Sequence, residues 1–199
     1  MTVQEYEKVK DYTYLEYCDY LQQKYGIGLC DYMSENWKKN GKVTRTKEGL
    51  YVHHKYEDHA IMLGNPEYAK KNPYEWQKKE NLVYCNLLEH LLLHLLICEY
   101  PAEDKNKNEK VGMGGVVNFI VPELNDVYSG FVSKQLWQQN CHNAIINNKD
   151  TYLLLIKRYK DFHEDNPFIV KWLLKSYNKS FGLWSDEKNA TIYEEIVTL

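Results

Sequence analysis

A chain of 199 residues is long enough for one compact domain or two small ones. Its 44% hydrophobic content supports a buried core and excludes a disordered chain, and 27% charged residues is ordinary for a globular surface. The formal net charge of −3 argues weakly against a nucleic-acid partner.

The distribution of charge argues the other way. Residues 38–79 hold ten basic and five acidic side chains, a local surplus of five that leaves −8 on the rest. A basic stretch on an acidic body directs one face toward a polyanion; a mixed, solvated surface is the competing account. No apolar run approaches the roughly 20 residues that span a bilayer. The longest, 87–98, contains Glu89, His90 and His94. The start, Met-Thr-Val-Gln-Glu-Tyr-Glu-Lys, lacks the apolar stretch of a signal peptide. Five cysteines (18, 30, 85, 98 and 141) include no C-x-x-C pair. These features predict a cytoplasmic protein with free, mostly buried thiols and no membrane partner.

In chain order, residues 3 to about 25 read as a tyrosine-rich helix stopped by Gly26 and Gly28. A second short helix is expected over about 31–39, before Asn40-Gly41. The pattern then changes to strand. Lys42-Val-Thr-Arg-Thr46, Gly49 near the turn, and Leu50-Tyr-Val-His-His54 predict a β-hairpin. Residues 55–80 form a long connection, with short helical turns signalled by Asn65-Pro66 and Asn72-Pro73. Asn86 and Glu89 have the spacing of a capping box, and the helix that follows runs to about 100 and stops at Pro101. That helix is apolar on nearly every side, so it should be buried. Residues 102–110 read as an exposed linker and 116–121 as a short strand. The tail reads as helical, over 152–162 behind Asp150 and over 167–177 behind Asn166.

Five of the seven histidines lie between residues 53 and 94. His90 and His94 are four apart, which puts both imidazoles on one helix face, as a metal needs. The pair lacks the following glutamate of a zincin, and alone it is better read as two core or surface histidines. His53 and His54 are strand neighbours and point to opposite faces, so one can hold a metal while the other faces a substrate. Asn81, taken alone, caps a turn.

Together, Leu50-Tyr-Val-His53-His54 and Asn81-Leu-Val-Tyr-Cys-Asn-Leu-Leu-Glu89-His90-Leu-Leu-Leu-His94 resemble the HNH, or ββα-metal, endonuclease motif. The form is similar to phage and bacterial nucleases with an Asn-Leu-Val segment before a Glu-His-x-x-x-His helix. The histidine set is similar to that of colicin-type DNases. The steps of nine residues from Asn81 to His90 and four to His94 match, over about 42–100, roughly half the chain. The long connection between His54 and Asn81 departs from that form.

The resemblance implies an α+β, mostly α-helical fold with a ββα-metal core. N-terminal helices and that core occupy 1–101; a helical region over 111–199 is left for target recognition or a homodimer contact. It implies hydrolysis of double-stranded DNA in restriction, defence or phage biology. One divalent metal (Mg, Mn, Ni or Zn) would sit on His53, His90 and His94, with His54 as general base and Asn81 holding its ring. Lys42, Arg45 and Lys55 are the candidate DNA contacts, and Tyr74 and Trp76 candidate base-stacking rings, each with packing or solvation as the ordinary alternative. His59, His142 and His163 are not assigned to the site. Two other classes compete: a non-catalytic nucleic-acid-binding protein that keeps the ββα-metal fold, and a small helical protein with incidental histidines.

Overall fold

The computed structural model describes residues 1–105, 111–164, 166–169, 171 and 186–199. Two helices replace the single one expected over 3–25. α1 (Val3–Val9) is capped by Thr2, and α2 (Tyr14–Tyr25) by Thr13. Thr13 and Glu16 form a capping box, which starts a new helix and breaks the chain before it. Gly26, at φ 83°, ends α2 as expected.

The helix expected over 31–39 does not form. Met33 and Lys39 make an antiparallel bridge around a turn, with Trp37 at φ 57°. Ser34 Oγ accepts from the Lys38 N–H and Asp31 from the Lys79 N–H, so both side chains favour turn and loop structure over helix.

The hairpin expected across 42–54 is also corrected. Gly41–Val43 and Thr46–Glu48 are 3-10 helical turns. Strand β1 (Tyr51–His54) pairs instead with β2 (Leu82–Cys85), antiparallel, with Tyr51 opposite Cys85 and His54 opposite Leu82. Burial decides between the two partners. Residues 42–46 offer one buried apolar side chain, Val43, whereas all four residues of β2 are buried. A lone Arg45–Leu50 bridge is what remains of local pairing. The long connection carries α3 (Pro66–Ala69), capped by Asn65, and 3-10 turns at Tyr74–Gln77 and Lys79–Asn81.

Directly after β2, the Asn86–Glu89 capping box starts α4 (Leu87–Glu99). Seven buried leucines lie on α4, each contributing roughly 1.5–3 kcal/mol relative to exposure. That burial holds the helix firmly enough to fix His94 inside and His90 at a half-buried position.

The strand expected over 116–121 is helical. α5 (Met113–Gly115), a π turn (Val116–Ile120) and α6 (Val121–Tyr128) follow one another, and Pro122 in the first turn of α6 removes a helical N–H donor. The valines and isoleucines there read as strand but pack as helix on the core. α7 (Leu136–Asn143), α8 (Lys149–Phe162) and α9 (Asp186–Thr198) complete the described chain. α8 is the helix expected over 152–162. The helix expected over 167–177 lies for the most part outside the described residues.

The fold is α+β and mostly helical, with one two-stranded antiparallel sheet among the described residues. α2, α4, α6, α8 and α9 share one core, which runs from Tyr17 and Leu21 through Leu91 and Leu95 to Leu124, Ile156 and Ile196. A smaller cluster of Tyr32, Met33, Val43, Ala69 and Leu82 lies beside the long connection. Among the described residues, no helix is long and apolar enough to cross a membrane.

Candidate metal centre

His53, Glu57, His90 and His94 converge beside α4, each offering one donor atom within 4.8 Å of all the others. His53 comes from β1 and Glu57 from the turn that follows it. His90 and His94 stand on successive turns of α4. Glu57 Oε2 lies 3.5 Å from His53 Nδ1 and 3.4 Å from His94 Nε2. Ring centroids are 5.2 Å apart for His53 and His90, 5.3 Å for His53 and His94, and 5.0 Å for His90 and His94. Donors about 2.0–2.1 Å from a tetrahedral zinc stand about 3.3 Å from one another, so this spacing suits a single ion.

The hydrogen bonds select which nitrogens face inward. Tyr14 Oη lies 2.8 Å from His53 Nε2 and donates to the His54 carbonyl at 3.4 Å, so it accepts from His53 Nε2–H. The lone pair then falls on His53 Nδ1, which is buried and has no hydrogen-bond partner. An unsatisfied buried nitrogen aimed at a carboxylate suits a cation between them. On the other side, His94 Nδ1 lies 3.2 Å from the Gly112 carbonyl, which leaves Nε2 toward Glu57.

Electrostatics give the ligand-ready charge states. Burial pushes His53 down to about 3 and His90 well below its ordinary value, so both rings are neutral at physiological pH. Burial pulls the Glu57 carboxyl upward, but the polar ring edges of His53, His54 and His94 around it hold it well below the usual range. Neutral imidazoles around an ionised carboxylate are the protonation states that metal binding requires.

His54 faces the other side of the same carboxylate and lies outside the donor set. Its Nδ1 is 3.7 Å from Glu57 Oε1, and its Nε2 is 3.2 Å from Gln77 Oε1. Gln77 Nε2 donates to the Leu63 carbonyl, which turns the amide oxygen toward the ring. His54 Nε2 therefore carries the hydrogen, and Nδ1 presents the lone pair. The ring packs edge-on against Tyr32 at 4.4 Å, and the residue is 1% exposed.

Asn81 does not hold the His54 ring. Its side-chain amide donates to the Glu75 carbonyl, and its own carbonyl accepts from the Lys55 N–H. The oxygen on the ring belongs to Gln77. Arg45 is also placed differently from a phosphate clamp: it pairs with Glu48, donates to the Tyr25 carbonyl and lies over the Tyr84 ring. Lys55 pairs with Asp19, while Lys42 is exposed on a 3-10 turn. Trp76 stacks on Tyr56, and the Tyr74 hydroxyl donates to the Met33 carbonyl. His59 pairs with Asp104 and His142 with Glu123, both apart from the four-residue cluster.

Sequence reasoning missed Glu57, Gln77 and Tyr14. Glu57 had a signal: it follows His53 by four residues, inside a turn that returns it to the same site. Gln77 and Tyr14 had none, because only the tertiary fold brings the connection and α2 to the histidines. Replacing Glu57 with glutamine keeps the shape and removes the anionic donor. Isothermal calorimetry should show metal affinity falling by more than the roughly 10–100-fold of a supporting residue; an unchanged affinity would remove Glu57 from the ligand set.

Comparison of the chain with known protein families, with curated proteins and with solved structures gives no match.

Proposed function

We propose that the chain is a metal-dependent endonuclease of the HNH type, hydrolysing phosphodiester bonds of double-stranded DNA. The observation that carries this reading is a shared carboxylate. Glu57 turns one oxygen to His53 and His94 and the other toward His54, whose ring is fixed from behind by Gln77. A donor set and a separate, oriented base therefore stand side by side, and a structural metal site has no need of the base. The order β1, β2, α4 also matches the strand, strand, helix order of the ββα-metal core.

His53, Glu57, His90 and His94 would hold one divalent cation, Mg, Mn, Ni or Zn. A bound cation supplies Lewis-acid stabilisation of the phosphate and of the departing 3′-oxygen. The chain's own part is proton transfer and orientation. His54 Nδ1 takes the proton of the attacking water. Gln77 Oε1 holds the opposite N–H and so stabilises the imidazolium that results. The products are a 5′-phosphate and a 3′-hydroxyl. The basic stretch 38–79, with Lys42 exposed on it, is the proposed DNA-facing side. The free cysteines suit a reducing, cytoplasmic setting.

A second reading has its own support. Four protein donors close a tetrahedral site, and His54 is buried. Both features suit a nucleic-acid-binding protein that keeps the metal for structure. A six-coordinate ion resolves the first objection, because four donors leave two positions open. The purified chain is expected to nick or cut supercoiled plasmid with a divalent metal and to stop on chelation, read by agarose gel. Cleavage that survives a strong chelator sinks the metal mechanism, and DNA binding without cleavage under any of the four metals selects the second reading.

A further inference from the structure

The glycine turn before α5 touches the metal centre from the tail side. Gly112 accepts from His94 Nδ1 at 3.2 Å. At φ 85° it takes a conformation that favours glycine, and a β-carbon there would lie 2.8 Å from the His94 carbonyl oxygen and 3.0 Å from Cys98 Sγ. Gly115 sits against the His94 ring itself. A β-carbon at Gly115 would overlap Cε1 and Nδ1 of that ring and lie 2.9 Å from Nε2. Its neighbour Gly114 is unlike it, since a β-carbon there would meet nothing closer than Asn118 Nδ2, at 3.7 Å.

We infer that Gly112 and Gly115 are positioning residues of the metal centre: together they form the seat that fixes the tautomer and orientation of His94. The inference rests on the reading of His53, Glu57, His90 and His94 as a metal site, and it makes the start of the tail part of that site. The carbonyl of Gly112 takes the Nδ1 hydrogen and so leaves Nε2 as the ligand atom. Gly115 supplies the missing volume into which the ring fits. Its backbone is ordinary right-handed helix, at φ −62° and ψ −46°, so alanine is conformationally acceptable there. The effect of a methyl group at Gly115 therefore falls on His94 rather than on the backbone.

Zinc and cobalt affinities of the full chain, measured by calorimetry, test this with Gly114→Ala as the internal control. Gly115→Ala is expected to lose roughly 10–100-fold in affinity, and Gly114→Ala to keep the parent value. Combining Gly115→Ala with His94→Ala should cost no more than His94→Ala alone, because the glycine acts through that ring. Melting of the metal-free variants separates an altered site from an altered fold. A second measurement needs no variant. Nitrogen-15 chemical shifts of the zinc-loaded parent chain should show His94 protonated at Nδ1 and metallated at Nε2. Equal losses at Gly114 and Gly115, additive losses in the double variant, or metal on His94 Nδ1 would each overturn the seat while the metal site stands. Failure of the parent chain to bind zinc or cobalt would overturn the metal site, and the seat with it.

Discussion

Alanine at His54 is expected to reduce DNA cleavage by roughly 10²–10⁴-fold, the usual contribution of a positioned general base, with metal affinity near that of the parent chain. The geometry separates this variant from its neighbour. His54 lies 3.7 Å from the outer oxygen of Glu57, and Gln77 holds its far nitrogen, so removing the ring leaves all four donors in place. His53→Ala removes a donor whose Nδ1 has no other partner, so metal affinity and cleavage should fall together. Calorimetry and a plasmid-nicking time course on both variants make the comparison. If His54→Ala releases the metal while His53→Ala keeps it, the two roles are exchanged. If neither change slows cleavage, the nuclease reading is wrong.

How far the site was legible follows from what periodicity can see. The i, i+4 pair His90 and His94 and the capping box at Asn86 and Glu89 are local features, and both stand where the sequence puts them. The apolar all-round character of α4 likewise shows in its sequence. Strand pairing is not local. Lys42-Val-Thr-Arg-Thr46 has the right residue types and the right distance for a hairpin, yet Leu82–Cys85 buries four side chains and takes the pairing. That exchange brings the residues just before β2 alongside the end of β1, and it is why Asn81 meets the Lys55 backbone instead of the His54 ring. Gln77 takes the position beside the ring through a loop conformation that no spacing rule describes. Val116–Ile120 misled in another way: β-branched residues prefer strands when considered alone, but here a helical path packs them on α4.

Glu89 carries the largest expected effect on stability. It is fully buried, directly before His90 of the candidate metal centre, and each of its oxygens is engaged. Oε2 accepts from the Asn86 N–H at 2.7 Å, closing the capping box of α4. Oε1 accepts from Lys24 Nζ at 2.7 Å and from the Tyr25 hydroxyl at 3.0 Å, tying α2 to the start of α4. Burial opposes the charge on Lys24, but Glu89 and Glu5 around it hold its pKa above the ordinary value. Glu89→Ala strips the buried Asn86 N–H of its acceptor and Lys24 of its inner partner. Losing the cap and leaving a buried N–H without its acceptor costs about 2–4 kcal/mol, a large share of the roughly 5–15 kcal/mol that holds a domain folded. Lys24→Ala should cost a similar amount by leaving the carboxylate unpaired in the core. The double variant should cost less than the two single losses together, because the second substitution removes the charge that the first one stranded. Urea unfolding in chelator measures all three without the stabilisation that a bound metal would add. A loss below about 1 kcal/mol in Glu89→Ala would mean that the pair behaves like a solvated surface bridge, and that α4 is held by its leucines alone.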